Sequence, residues 1–532
     1  MSPLVSLPPE LLVQIFFFAI QPKTRHGYPE EWVQVVPLMC VCRYWREVAC
    51  NASVLWCTLR IHVKTSSQLL RLHLDLSRNL PLDVYVRLET DSWDSAQVVD
   101  VDEMLSDLHR VQLLHIDVGS EPEGPRSIAI EHDMPNLQKL VLWSNYLTTP
   151  LLPSDQHHLP CLHTLEAETV KFSDLTPFLR PTITNLHIGG DSYDFPDLRP
   201  SLPELLLALS TMPLLERLVL NFTVCDLVDY NSADLPFVTL PRVRHLEIMD
   251  DCLPAGDLLE HLIVHPSSFL VGNRDSLGYH GAFPKEWLIR GYGHLFGFEK
   301  MLRVLSSKLL GHGILGPAPS PLLRDLTLAV WRDNYSESVV EAFHEDVGRQ
   351  FLFSYRPDPG YNPSTHVDCV LRSLDGSILQ LVTKLHVEVP EDVKSEEGDE
   401  HPFTVRLEDI AERLPNIEEL RVSGKSTWDR EFVRIHTSPQ AIPFPRLQHM
   451  VLKKSTFRKA SLSTPDYVED PEDLIWTLLE MLKVRKAAGI PIQRLTIETS
   501  RRLLDSDEDA LRPYVRRISF AYIASSDFRR GK

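Results

Sequence analysis

The stretch Pro135-Asn136-Leu137-Gln138-Lys139-Leu140-Val141-Leu142 holds the pattern that organises most of this chain. Leu140 and Leu142 alternate, so an extended backbone puts both side chains on one face of a short strand. Leu137, three residues before the central leucine, closes the turn that leads into it. The same unit opens at Val111 with Leu114 and Ile116. It returns as Leu162/Leu165/Ala167, Ile183/Leu186/Ile188, Leu215/Leu218/Leu220 and Val243/Leu246/Ile248. After longer gaps come Leu323/Leu326/Leu328, Val382/Leu385/Val387, Ile417/Leu420/Val422, Leu447/Met450/Leu452 and Ile492/Leu495/Ile497. A single unit leaves its apolar face in water, so it is stable only when stacked on its neighbours.

The central leucines at 114, 140, 165, 186, 218 and 246 lie 26, 25, 21, 32 and 28 residues apart. Between them, Ser201–Ser210 carries Leu202, Leu205, Leu206 and Leu209 at helical spacing, and Leu474–Val484 has a similar pattern. Strand then helix, repeated, predicts an α/β fold with a curved parallel sheet and outer helices. It resembles an irregular leucine-rich-repeat solenoid, degenerate because the Asn or Cys of the standard repeat is mostly missing. An α/β domain whose strands merely share the spacing is the other reading. Two gaps, 80 residues from Leu246 to Leu326 and 59 from Leu326 to Leu385, predict surface insertions at about 265–320 and 335–378. The first holds a helical pattern over Phe298–Leu310 and an irregular strand at Phe269–Val271. The second holds a helix-like run over Val339–Phe353 and a turn-rich Arg356–Pro363. The acidic run Glu391–Glu400 reads as a solvated loop.

Working back toward the N-terminus, Leu69–Leu88 predicts a helix ending near Arg78-Asn79 and a strand from Leu82 to Leu88. Before it, Leu7-Pro8-Pro9-Glu10-Leu11-Leu12 and Ile15-Phe16 make an apolar helix with prolines at its entry. Leu38, Val41, Cys42, Trp45 and Val48 share a second helical face over Leu38–Val48, followed by Leu55-Trp56. So few residues cannot bury that much apolar surface alone. Some must face the rest of the chain or a partner.

These residues resemble the F-box, the helical motif that binds a Skp-type adaptor. A longer connection from Gln21 to Gln34 resembles the looped variant of fungal F-box proteins. The element over Leu69–Leu88 resembles the first element after the F-box in the mushroom-type ones. The expected division is an F-box-like helical domain over 1–60, a connecting helix and strand over 61–107, and the solenoid over 108–532. The resemblance implies a non-catalytic substrate-recognition subunit of a Skp–cullin–F-box ubiquitin ligase. Its N-terminal helices would dock the adaptor and its solenoid would hold a protein substrate. Adaptor binding is then expected at Leu7, Pro8, Leu11, Leu12, Ile15 and Phe16, with Val41, Cys42 and Trp45 in contact or packed behind. On the solenoid, the outward strand positions His115, Trp143, Glu166, His187, Asn221, Glu247 and Arg421 are the candidates for substrate. An exposed Trp143 would be a binding hot spot; packed beneath a loop, it would be structural. A non-degradative scaffold is the alternative function, and an enzyme with its pocket in the insertions a further one.

Composition agrees with an adaptor. The 532 residues carry a net charge of −19, which disfavours nucleic acid and hints at a basic partner. Eight cysteines lack paired or zinc-like spacing and read as buried thiols of a reducing compartment, cytoplasm or nucleus. No signal peptide and no run of ~18–20 apolar residues is visible. No cofactor or metal is expected. Gly311–Gly316 matches GxGxxG but follows a helix and precedes prolines, so the phosphate-cradling geometry fails. His261 and His265 lack the HExxH order of a zinc protease.

Overall fold

The computed structural model describes residues 7–20, 24–25, 28–29, 35–62, 65–88, 108–118, 129–130, 133–144, 152–153, 159–190, 198–221, 234–264, 287–293, 299–304, 307, 326–332, 338–344, 349–357, 371–374, 376–388, 407–423, 442–453, 474–499 and 505–522. The acidic run 391–400, the glycine motif 311–316, His265 and the strand expected at 269–271 lie outside them. The chain forms two compact units, Met1–Cys225 and Asp226–Lys532.

The first unit opens with helices α1 (Pro9–Ile20), α2 (Val35–Met39) and α3 (Arg43–Asn51) and a short turn over Ser53–Trp56. Leu12, Phe16, Ile20, Val35, Val48, Ala49, Leu55 and Trp56 form their shared core. Burial alone cannot satisfy an indole N–H, so Trp56 donates to the Ala49 carbonyl at 2.8 Å. The single helix expected over Leu38–Val48 is instead two. Cys42 breaks it with extended backbone and caps α3, its Sγ accepting from the Trp45 amide at 3.4 Å. The break lets α3 turn its Val48 and Ala49 into the core.

Helix α4 (Ser67–Ser77) begins at a Ser66 cap and ends near Arg78, as the spacing predicts. The His73 ring packs 4.9 Å from Trp56, and Leu76 packs against the helical core, so α4 locks the helical domain to the sheet beyond it. Arg110 bonds Ser77 Oγ at 2.8 Å and the Leu80 carbonyl at 2.9 Å, tying the end of α4 to the next repeat.

Among the described residues of this unit, seven strands form an all-parallel sheet in chain order: β1 (Thr58–His62), β2 (Leu82–Leu88), β3 (Val111–Val118), β4 (Lys139–Ser144), β5 (Thr164–Glu168), β6 (Asn185–Gly189) and β7 (Arg217–Asn221). The register aligns Leu59, Val84, Leu114, Leu140, Leu165, Leu186 and Leu218 into one buried row. Leu137, Leu162, Ile183 and Leu215, the turn-closing residues, are fully buried too. Helix α5 (Leu202–Ser210) contributes Leu202, Leu205, Leu206 and Leu209 to the core, with Glu204 completing a capping box on Ser201. Leu165→Ala should therefore cost ~2–5 kcal/mol, read as a lower denaturation midpoint of this unit; an unchanged midpoint would mean that the row does not carry the fold.

In the second unit the strands of the main sheet are β8 (His245–Asp251), β9 (Trp287–Gly293), β10 (Leu326–Arg332), β11 (Ser338–His344), β12 (Arg349–Pro357), β13 (Val382–Glu388), β14 (Glu419–Ser423), β15 (His449–Lys453), β16 (Arg494–Thr499) and β17 (Arg517–Tyr522). Spatial order is β8-β9-β12-β11-β10-β13-β14-β15-β16-β17. Only the pairings of β11 are antiparallel within this order. They correct the helix expected over Val339–Phe353. Its apolar residues suit either period, and pairing Val340 with Val330 and Phe353 decides for the strand. The helical pattern near Phe298 survives as residues 299–304 and 307. Helix α6 (Leu474–Ala487) matches its expected position.

The architecture is thus a helical domain followed by an α/β region with long parallel sheets, consistent with a leucine-rich-repeat-like solenoid.

Candidate functional site

Two surfaces gather the residues singled out in the sequence. The first is the outer side of α1. Leu12, Phe16 and Ile20 point inward at i, i+4 and i+8, and the first two are fully buried. Leu11 and Ile15 point outward, 47% and 48% exposed, and Phe18 extends that stripe at 70%. Val41, 57% exposed, lies in the break between α2 and α3. Pro8 is exposed, and Leu7 is half-buried with its carbonyl accepting from Tyr44 Oη at 2.7 Å. Trp45 is half-buried, its ring edge-to-face with Phe16 at 4.9 Å. Leu12, Phe16, Cys42 and Trp45 therefore hold the scaffold from within, and Leu11, Ile15 and Val41 present it. Phe18 was missed, although its i+7 spacing from Leu11 was legible.

The second surface is the polar face of the first unit's sheet. Register places Tyr85, His115, Val141, Glu166, His187 and Val219 side by side. Two residues along the strands, Arg87, Asp117, Trp143, Glu168, Gly189 and Asn221 make a neighbouring row on the same face. Five candidates, His115, Trp143, Glu166, His187 and Asn221, thus share one face. Glu247 and Arg421 belong to the second unit, where five strands separate β8 from β14. There Glu247 lies 3.6 Å from His245, and Arg421 bonds Glu419 at 2.6 Å.

Within the shared face, His115 packs 4.7 Å from Trp143 and 5.5 Å from Tyr85. Lys139 bonds Glu166 at 2.7 Å, and Arg87 lies 3.6 Å from Asp117. Asn221 Nδ2 and His187 Nε2 are 3.2 Å apart, and the same His187 nitrogen is 3.8 Å from Glu168. Burial pushes the His115 imidazole down to about 4, against the pull of Glu166 and with the push of Lys139. His73 is lowered for the same main reason, burial. Both rings are held neutral in the folded chain, whereas the unfolded chain takes up protons near pH 6.5. The His115 contribution is complete above that pH and is lost as pH falls from about 6.5 toward 4, and His73 acts in the same direction. The urea midpoint of the first unit should fall between pH 7 and pH 5, and His115→Gln should reduce that fall; an identical fall in the variant would refute the assignment.

Among the described residues, no group of three or more His, Cys, Asp or Glu is placed to hold a metal ion, and no helix is long and apolar enough to cross a membrane. Cys40 and Cys161 are exposed, and Cys42, Cys50 and Cys57 are half-buried, which corrects the expectation of buried thiols. They sit at turns and helix ends instead of on the apolar rows. His261, from the rejected zinc motif, is buried, with Nδ1 2.8 Å from the Asp257 carbonyl.

No curated protein matches the chain. Residues 4–62 match the F-box-like family model, a span that takes in the three helices, the Ser53–Trp56 turn and the first sheet strand. The chain carries an F-box-like domain at its N-terminus.

Proposed function

We propose that the chain is a substrate-recognition subunit of a Skp–cullin–F-box ubiquitin ligase. The observation that carries this reading is the outward stripe Leu11, Ile15 and Phe18 on a helix whose opposite side already fills the domain core. An apolar stripe of this kind is an interaction site on a folded domain, not part of its stability. The F-box-like match supports a Skp-type adaptor as the partner. Through the adaptor, the cullin and the ubiquitin-charged enzyme would be brought close. The repeat region would hold the substrate, and its lysine would gain effective concentration near the transfer site. The chain itself then supplies positioning and no chemistry. Tight seating of α4 and Arg60 on the helical domain favours this reading, because a rigid link fixes the distance between the two binding sites. Arg60 donates to the Ile20 carbonyl at 3.2 Å, and His73 packs on Trp56.

The test is co-purification of the full chain with a Skp-type adaptor and cullin, followed by ubiquitin transfer to proteins that the chain captures. A stoichiometric complex that ubiquitinates a captured protein supports the reading. A complex without transfer would make the chain a non-degradative scaffold. No complex at all would remove the ligase assignment.

A further inference from the structure

The last strands of the second unit's sheet carry a more specific reading, which rests on the substrate-holding role proposed above. Leu420, Met450 and Leu495 are buried, as are Val422, Leu452 and Ile497 two residues on, so the residues alternating with them line the opposite, polar face. Register aligns Lys384, Glu419, His449, Arg494 and Arg517 across that face. The carboxylate of this row is already engaged: Glu419 accepts from Arg421 at 2.6 Å and has His449 3.9 Å away. Arg494 and Arg517 stand side by side on β16 and β17, and both are exposed. Among the described residues, neither side chain takes part in a hydrogen bond or ion pair. Glu498 on β16 is four residues beyond Arg494, ~13 Å along the strand. Between them on the same face, Thr496 Oγ1 and Ser519 Oγ are 2.9 Å apart. One proton serves that contact, so the other hydroxyl keeps an O–H to donate.

We infer that Arg494 and Arg517 form a subsite for a pair of carboxylates in an acidic segment of a protein substrate. A guanidinium fork matches the edge of a carboxylate and gives it two parallel charge-assisted hydrogen bonds. Neighbouring parallel strands are ~4.8 Å apart, so two such forks can take carboxylates from nearby side chains of one segment. The hydroxyl beside them adds a neutral donor. No resident carboxylate has to be displaced, because Glu419 is held by Arg421 and lies two strands from Arg494. The net charge of −19 opposes an acidic ligand at long range. At ~0.15 M ionic strength that field is screened beyond ~8 Å, so the two adjacent arginines dominate at contact.

The probe is a set of fluorescent twelve-residue peptide mixtures, identical except for a fixed central Glu-Glu, Gln-Gln, Lys-Lys or Gln-phosphoserine pair. Each is titrated by anisotropy against the full chain in complex with its adaptor. The Glu-Glu mixture should bind at least about tenfold more tightly than the Gln-Gln mixture, with Lys-Lys weakest. Arg494→Gln with Arg517→Gln, a change at two exposed positions, should remove that preference while adaptor co-purification is retained. Arg494→Glu with Arg517→Glu should invert it in favour of Lys-Lys. Equal binding of the Glu-Glu and Gln-Gln mixtures, or a Glu-Glu preference that survives the double Gln variant, would overturn the subsite. Binding of the phosphoserine mixture alone would overturn the carboxylate assignment. Loss of adaptor binding by the unaltered chain would instead strike the ligase assignment, so the two failures are distinguishable.

Discussion

Replacing Leu11 and Ile15 together by Asp should reduce adaptor binding by a factor of ~10²–10⁴ and leave the fold intact. Each side chain, about half exposed in the free chain, would transfer its remaining apolar surface to the partner. A fully buried Leu or Ile contributes ~1.5–3 kcal/mol, and an unpaired carboxylate in the same place adds a desolvation penalty. Stability should change by under ~1 kcal/mol, because neither residue belongs to the core cluster. Phe16→Ala is the contrasting variant. It removes a fully buried ring that meets Trp45 at 4.9 Å and should destabilise the helical domain by ~3–5 kcal/mol. Isothermal titration against the adaptor, with circular dichroism as the folding control, separates the two outcomes. Full-strength binding by the double Asp variant would show that the adaptor docks elsewhere.

The second large effect is expected at Arg485, where Arg485→Met should lower the stability of the second unit by ~3–5 kcal/mol. This side chain near the end of α6 is fully buried. Its guanidinium donates to the carbonyls of Pro443 at 3.0 Å, Phe444 at 3.1 Å and Leu447 at 3.1 Å. Those carbonyls belong to the turn before β15, in which Phe444 takes a positive φ of 50°. A bulky residue reaches that conformation only when its surroundings impose it. Burial holds the guanidinium down to about 10, which is still charged at neutral pH. Met matches the aliphatic stem but takes the donor from the Pro443 and Leu447 carbonyls, while Phe444 keeps the Leu447 amide at 3.0 Å; each carbonyl left unsatisfied costs ~1–3 kcal/mol. Relief of the buried charge offsets part of that cost. Hydrogen exchange should accelerate over residues 442–453 and 474–499 and stay unchanged in the first unit. Unchanged exchange in both segments would show that the turn holds itself.

The eleven leucine units were legible because a strand has period two and each unit repeats it with a turn-closing residue three before. Each of those units coincides with a strand of the two sheets. The helix and strand over Leu69–Leu88 were legible for a similar reason: a Ser cap, a helical period, then alternation. The direction of α1 was not. Leu11, Leu12, Ile15, Phe16, Phe17 and Phe18 make it apolar almost all round, so its pattern does not say which side is inward. Packing against α3 and Trp56 decided that Leu12 and Phe16 go in and Leu11, Ile15 and Phe18 stay out. Val339–Phe353 had the same ambiguity, and a ladder to β10 and β12 resolved it as strand. Arg485 was unreadable for a different reason. Its partners lie about forty residues earlier in the chain, and charge alone predicts an exposed side chain. What the sequence by itself determined is therefore the eleven repeat strands and the row of leucines that stacks them, since both follow from local period and burial. The tertiary structure alone decided which side of an all-apolar helix meets a partner and which outward residues share one face, because both depend on contacts between segments far apart in the chain.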